Sequence, residues 1–352
     1  MGEAAFAKRV HPSSTLRSMY EDGPRIVIWE TTRACALACV HCRAEANPRR
    51  DPRELTTAEA FRLVDELADW GKGIFILTGG DPLMRPDLFD IVEYAASRAL
   101  RVAIAPSVTG RLTMKTLTRL VDAGCRRISL SLDGPEPQVH DVFRGVRGAF
   151  ERTLKSAVGA LQTGMELQIN TTVSRHNRDR IKETGDLVAS LAVAAWSVFF
   201  LVPVGRAQRD LSVEAVECEA TFDDLYDIAK RKAIAVKTTE APHYRRYVAQ
   251  REGMPARREG IGDGKGFVFI SHVGEIQPSG FLPLTRGNVR CDSLLEVYRE
   301  DPVMKRLRDP DTFVGKCGSC EFRHLCGGSR ARAFAFTGDP FESDPTCAWA
   351  AT

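Results

Sequence analysis

Short apolar runs alternate with longer amphipathic stretches over the first two thirds of the chain. The runs Ile26–Thr32, Gly73–Gly79, Arg101–Ser107, Arg127–Leu132, Glu166–Val173 and Trp196–Val202 have the length and composition of strands. Between them, residues 56–69, 87–99, 112–123, 149–163 and 179–191 carry apolar positions at helical spacing. The first of these opens on Thr56-Thr57-Ala58-Glu59, a hydroxyl cap with a carboxylate three positions on. Strands separated by helices predict a parallel α/β sheet with right-handed crossovers. In parallel barrels of this kind, chemistry gathers at the C-terminal ends of the strands.

The pattern changes after about residue 210. Residues 211–265 read as a polar, mostly helical connector that includes Glu214–Ala233. Then Phe267-Val-Phe-Ile-Ser271, a turn at Val273-Gly274-Glu275 and Ile276-Gln277-Pro278 predict a β-hairpin that opens a small module over 266–352. Residues 1–23 form a segment ahead of the first strand, and no tandem repeat is visible.

Composition narrows the class. The chain has 352 residues, 43% hydrophobic and 27% charged, which is ordinary for a globular enzyme. Its 49 basic and 46 acidic side chains give +3, too even to predict a nucleic-acid surface. The pairs Arg245-Arg246 and Arg257-Arg258 read as solvated faces. No apolar run approaches the roughly 20 residues that span a bilayer, so no membrane association is expected. The first residues, MGEAAFAKRV, lack the apolar stretch of a secretory signal. Of the 10 cysteines, most fall in two tight constellations, which points to metal in a reducing compartment and a cytoplasmic location.

The first constellation, Cys35-Ala-Leu-Ala-Cys39-Val-His-Cys42, directly follows the first strand. It offers three thiolates where an iron–sulfur cube is ordinarily held by four. One iron would then be left to bind something else. The second is Cys317-Gly-Ser-Cys320 with Cys326, followed by Cys347. Four thiolates can saturate either zinc or an iron–sulfur cube, and spacing does not separate the two. Cys125, Cys218 and Cys291 are left over and read as ordinary buried thiols.

The C-x₃-C-x₂-C cluster resembles the signature of the radical S-adenosylmethionine (SAM) superfamily, and the second set resembles that superfamily's SPASM/twitch extension. The resemblance spans roughly residues 24–210 and 266–349. It implies a partial (β/α)6 parallel barrel with a small C-terminal α+β iron–sulfur module. It also implies a [4Fe-4S] cluster on Cys35, Cys39 and Cys42 whose open iron binds SAM and yields a 5′-deoxyadenosyl radical. One auxiliary [4Fe-4S] cluster would use Cys317, Cys320, Cys326 and Cys347. The full SPASM pattern provides for two, but here Ser279 and Arg330 stand where further thiols would be. The stretch Leu77-Thr-Gly-Gly-Asp-Pro82 resembles the SAM-binding Gly-Gly-Glu-Pro motif, with Asp for Glu. Thr78, Gly79, Gly80 and Asp81 are the corresponding contacts. Ser107, then Ser131 and Asp133 of Ser129-Leu-Ser-Leu-Asp133-Gly134, are further SAM candidates, as are Asn170 and the loop Val202–Gly205. No other catalytic side chain is implied. His41 is expected to pack over the cluster, and His140-Asp-Val-Phe-Arg144 to be structural.

The C-terminal stretches Gly274–Arg290 and Cys317–Arg332 look most like the branch that trims tetrapyrrole side chains in haem b and haem d1 synthesis. That branch implies oxidative decarboxylation or side-chain removal from an iron porphyrin. Arg286, Arg290, Arg330 and Arg332 are candidate partners for its carboxylates, which arginine binds bidentately. A flavodoxin or ferredoxin would supply electrons. Two alternatives stand beside this reading. One is a peptide maturase that crosslinks, oxidises or epimerises a precursor, although only about 23 residues precede the first strand, too few for a winged-helix leader-binding module. The other is a non-catalytic iron–sulfur electron carrier or a zinc-stabilised scaffold.

Overall fold

A single mixed sheet organises the chain. In the computed structural model, which describes residues 20–253 and 260–349, its strands run β10-β9-β8-β1-β2-β3-β4-β5-β6-β7. The six anticipated strands are β1 (Ile26–Glu30), β2 (Ile74–Thr78), β3 (Arg101–Ile104), β4 (Arg127–Ser131), β5 (Glu166–Val173) and β6 (Ala195–Phe200). All pair in parallel with their sequence neighbours. The helices Thr57–Trp70, Leu88–Ser97, Met114–Asp122, Ala149–Gln162 and Ile181–Ser190 fill the crossovers. The first is capped as its sequence suggests, with Thr56 accepting from the Glu59 amide and Glu59 reaching back to the Thr56 amide. The partial barrel is therefore the fold.

Period-two alternation divides β1–β6 between two environments. Val27, Trp29, Phe75, Leu77, Val102, Ile104, Ile128, Leu130, Leu167 and Ile169 are buried within the main hydrophobic core. The alternate positions line the concave side. Closed parallel barrels fill that space with layers of side chains, whereas here it is a cavity of about 1300 Å³.

Two features depart from the expected outline. The 211–265 stretch contains the helices Ala215–Lys232 and His243–Arg251, and also a strand, β7 (Val236–Thr239), which extends the sheet beyond β6. Its Val-Lys-Thr-Thr sequence lacks the apolar run that marks the other strands. The hairpin β8 (Phe267–Ile270) and β9 (Glu275–Gln277) forms as expected, and β10 (Gly287–Asn288) adds to it. However, β8 also pairs in parallel with β1, Ile26 opposite Phe267, so the C-terminal segment continues the barrel wall. Residues 1–19 and Arg257-Arg258 lie outside the described residues. Cys125 and Cys218 are buried as expected, but Cys291 is exposed, because it sits on the turn after β10 with its thiol toward Asn288 O. No described helix is long and apolar enough to cross a membrane.

Candidate active site

The first thiol set occupies a loop whose base is closed by backbone hydrogen bonds. Thr31 leaves β1 donating its amide and its hydroxyl to Thr78 O, at 2.8 and 3.0 Å. Cys35 N donates to Asn47 O and Asn47 N to Arg33 O, closing the loop's base. From the other side, Gly80 N donates to Thr32 O and Asp81 N to Ala34 O, each at 2.7 Å. The two backbones approach so closely that a Cβ on Gly79 would lie 2.3 Å from Thr32 O. On Gly80 it would lie 2.5 Å from Ala34 O. The paired glycines thus dock the Thr78–Asp81 turn against the cysteine loop.

Cys35, Cys39 and Cys42 all line the cavity. Their sulfurs are met by donors: Leu37 N to Cys35 Sγ at 3.3 Å, Ala46 N to Cys42 Sγ at 3.4 Å and Arg144 Nη1 to Cys39 Sγ at 3.8 Å. N–H groups aimed at sulfur are what an iron–sulfur site uses to hold and tune its thiolates. Burial pushes the Cys35 and Cys39 thiols up, and iron is the charge that would return them to thiolates. The donor set fits a cube. His41 stacks on Phe143 at 3.9 Å, and burial pulls its imidazole down to about 3.

The anticipated SAM contacts divide into two groups. Thr78, Gly79, Gly80, Ser107, Ser131 and Asn170 face the cavity beside the cysteine loop. Ser107 bridges, with its hydroxyl donating to Gly80 O at 2.6 Å and lying 3.3 Å from Cys35 Sγ. Asp81 and Asp133 are fully buried and turned away. Asp81 accepts from Leu83 N and the Thr109 hydroxyl, and burial pushes its carboxyl up. Asp133 accepts from Arg144 and Thr172 N. Burial pushes this carboxyl up too, but Arg144, the two histidines His41 and His140 and the Thr172 amide together hold Asp133 below the usual range. Its partner Arg144 is the guanidinium that touches Cys39, so Asp133 acts on the site from behind.

The second set lies against the same cavity. Cys317, Cys320, Cys326 and Cys347 surround one small pocket, and Cys326 also reaches the large one. Donors again point at sulfur: Asp344 N to Cys317 at 3.5 Å, Phe322 N to Cys320 at 3.4 Å and Gly328 N to Cys326 at 3.4 Å. Arg330, which stands where a longer pattern has a thiol, donates Nη2 to Cys317 Sγ at 3.3 Å. Among the described residues, no three or more His, Cys, Asp or Glu side chains close around a single-ion position. A cube seats each thiolate on a different iron, so its ligands surround a space instead.

The cavity between the two sets has two kinds of wall. Ile26, Ile28, Ile74 and Ile76 with Phe267 and Phe269 make one side apolar. Ser129, Ser131, Gln168, Asn170, Thr172 and Ser197 make the other polar. None of the four anticipated carboxylate-binding arginines is free. Arg286 pairs with Asp301, Arg290 with Glu59 and Arg332 with Asp344, while Arg330 serves Cys317 and three backbone carbonyls. Conversely, Arg245 and Arg246 are not a solvated face. Arg246 is 4% exposed and paired with Glu219, and Arg245 lines the cavity. Arg206 lines it as well, donating Nε to Cys39 O at 3.1 Å and Nη1 to Ala46 O at 2.8 Å.

Comparison with known proteins agrees with this geometry. The model of the Radical SAM superfamily matches residues 29–188. The chain is 41% identical over 346 residues to the AdoMet-dependent heme synthase of Oleidesulfovibrio alaskensis, covering 94% of this chain and 89% of that one. It is 41% identical over 338 residues to the AdoMet-dependent heme synthase of Methanosarcina barkeri, covering 93% and 97%. In fold it is similar to Streptococcus suis SuiB bound to precursor peptide SuiA, with a TM-score of 0.75 at 19% identity over 96% of this chain and 79% of that one. Identity of 41% along nearly the whole length reflects common descent: the chain belongs to the radical SAM superfamily and is an enzyme.

Proposed function

We propose that this enzyme removes or oxidatively decarboxylates propionate side chains of an iron porphyrin in haem-type biosynthesis. The observation that carries the reading is the two-walled cavity between the thiol sets, in a chain whose relatives are named heme synthases. Its roughly 1300 Å³ exceeds the 300–1,000 Å³ of ordinary small-molecule sites. That leaves room for SAM and a macrocycle together. The apolar isoleucine and phenylalanine wall suits a flat ring, and the polar wall suits the edges.

Cys35, Cys39 and Cys42 would hold the SAM-binding [4Fe-4S] cluster, and Cys317, Cys320, Cys326 and Cys347 one auxiliary cluster. Bound together, the first cluster and SAM supply the 5′-deoxyadenosyl radical that takes hydrogen from a side chain. The protein's own residues do the rest. The Gly79 and Gly80 carbonyls and the Thr78 side chain would meet the amino acid end of SAM; Gly80 O already accepts from Ser107 and keeps a second lone pair. Ser107, Ser131 and Asn170 offer hydroxyl and amide partners to its other polar groups. Asp81 and Asp133 keep the glycine turn and Arg144 in place. The placement of a bound side chain against the cysteine loop would select the hydrogen removed. A flavodoxin- or ferredoxin-type protein in the cytoplasm would deliver the electron.

Anaerobically reconstituted protein should contain about eight irons if both sets hold cubes. With SAM and reductant it should convert an iron coproporphyrin to a lighter product that has lost carbon dioxide. Zinc in the second set would refute the auxiliary cluster. Protein that binds no tetrapyrrole but modifies a precursor peptide would establish the maturase reading instead.

A further inference from the structure

Four of the arginines around the large cavity are already matched by carboxylates. Arg43, Arg127, Arg144 and Arg323 pair with Glu30, Glu166, Asp133 and Asp311. Arg206 and Arg330 are tied to the two cysteine loops themselves. Arg245, on the helix His243–Arg251, is different. Its Nη2 donates to Ile261 O at 2.7 Å and its Nη1 reaches Leu325 O at 3.5 Å. No carboxylate among the described residues pairs with it, although it lines the cavity.

A guanidinium is never deprotonated in proteins and carries five donors, of which two backbone carbonyls use only a part. Burial pulls Arg245 down from the ordinary arginine range, and the nearby Cys326 acts in the opposite sense. The guanidinium packs directly on the backbone of Gly260, where a Cβ would fall 1.9 Å from Arg245 Cζ. Leu325, which it touches, directly precedes Cys326 of the second thiol set. Arg245 therefore marks the end of the cavity that lies at the auxiliary site.

We infer that Arg245 binds a carboxylate of the substrate, gripping one propionate at the auxiliary end while another lies at the SAM end. The assignment rests on the iron porphyrin reading above. A planar fork matches a carboxylate bidentately, and a substrate with several acidic arms can be held by one and react at another. Arg245 thus sets which arm is presented, in addition to affinity.

Absorbance titration of the anaerobic holoenzyme tests this with two probes, iron coproporphyrin III and its tetramethyl ester, which has no free carboxylate. In Arg245→Gln, affinity for the free acid should fall about 10- to 100-fold, as for loss of a charge-assisted pair. Affinity for the ester should stay within about twofold of wild type. Unchanged affinity for the acid overturns the assignment. So do equal losses for acid and ester, because Arg245 would then merely support the Ile261 and Leu325 backbone. Should Arg245→Gln shed iron, Arg245→Lys carries the test: it keeps the charge and loses the fork. A several-fold loss confined to the acid supports the assignment, and any other pattern defeats it. Wild-type protein that binds neither porphyrin overturns the substrate reading itself, and Arg245's role falls with it.

Discussion

A methyl group on Gly80 would press on Ala34 O at 2.5 Å and on Arg33 O at 2.6 Å, both backbone atoms of the cysteine loop. Neither can swing aside as a side chain can, so the loop must move, at a cost of about 1–3 kcal/mol. Gly80→Ala is therefore expected to lose about four of eight irons, those of the first cluster, and to lose the spectral response to SAM. Iron analysis and a SAM difference spectrum check this; a full complement with wild-type SAM cleavage would contradict it. At this scale the sequence was informative where chemistry needs tight local spacing, as in Cys35, Cys39, Cys42 and the Gly79–Gly80 pair. It was silent where a role depends on distant chain. Arg245 and Arg246 look like any solvated pair, because the groups that enclose Arg245 include Leu325, 80 residues away. Asp81 and Asp133 sit on the right loops, but only the fold reveals that their carboxylates turn into the protein.

Elements are tied together at the C-terminal end of β1 by Glu30. Its fully buried carboxylate meets Arg43 at 2.6 Å, His272 Nδ1 at 2.9 Å and Arg33 at 3.0 Å. It thereby joins the first strand, the cysteine loop and the segment after β8. Burial pushes Glu30 up, but Arg43, His272 and Arg33 prevail and hold it at about 2. Because the folded value lies below the unfolded one, its stabilisation is full above the ordinary glutamate range. It fades as pH falls toward about 2. Glu30→Gln leaves Arg43 and Arg33 without their shared anion and should cost about 3 kcal/mol near neutrality. Thermal unfolding should place the variant several degrees below wild type at pH 7, with the gap narrowing below about pH 4.5. Equal stability at pH 7, or a gap indifferent to acid, would contradict the role. The strands with apolar runs were legible; Glu166–Val173 coincides with β5. By contrast, β7 was not, since its Val-Lys-Thr-Thr side chains are half-buried or exposed at a sheet edge and lack a strand's usual pattern.

Over the whole molecule, the pairing of β8 with β1 matters most, because it brings the second thiol set onto the wall of the barrel. That pairing joins residues about 240 positions apart, and no local pattern announces it. The hairpin and its cysteines could be read from the chain, but their attachment to the barrel could not. The same pairing seats Phe267 and Phe269 opposite the polar side chains of β4–β6. A two-walled cavity reached by both cysteine loops is thus a product of topology, and the reaction proposed for it follows from that arrangement. The most direct test uses iron coproporphyrin III deuterated in its propionate side chains, incubated anaerobically with the reconstituted enzyme, SAM and a one-electron reductant. The account predicts deuterium in the 5′-deoxyadenosine recovered, together with a porphyrin that has lost carbon dioxide. Unlabelled 5′-deoxyadenosine beside unchanged porphyrin would contradict it.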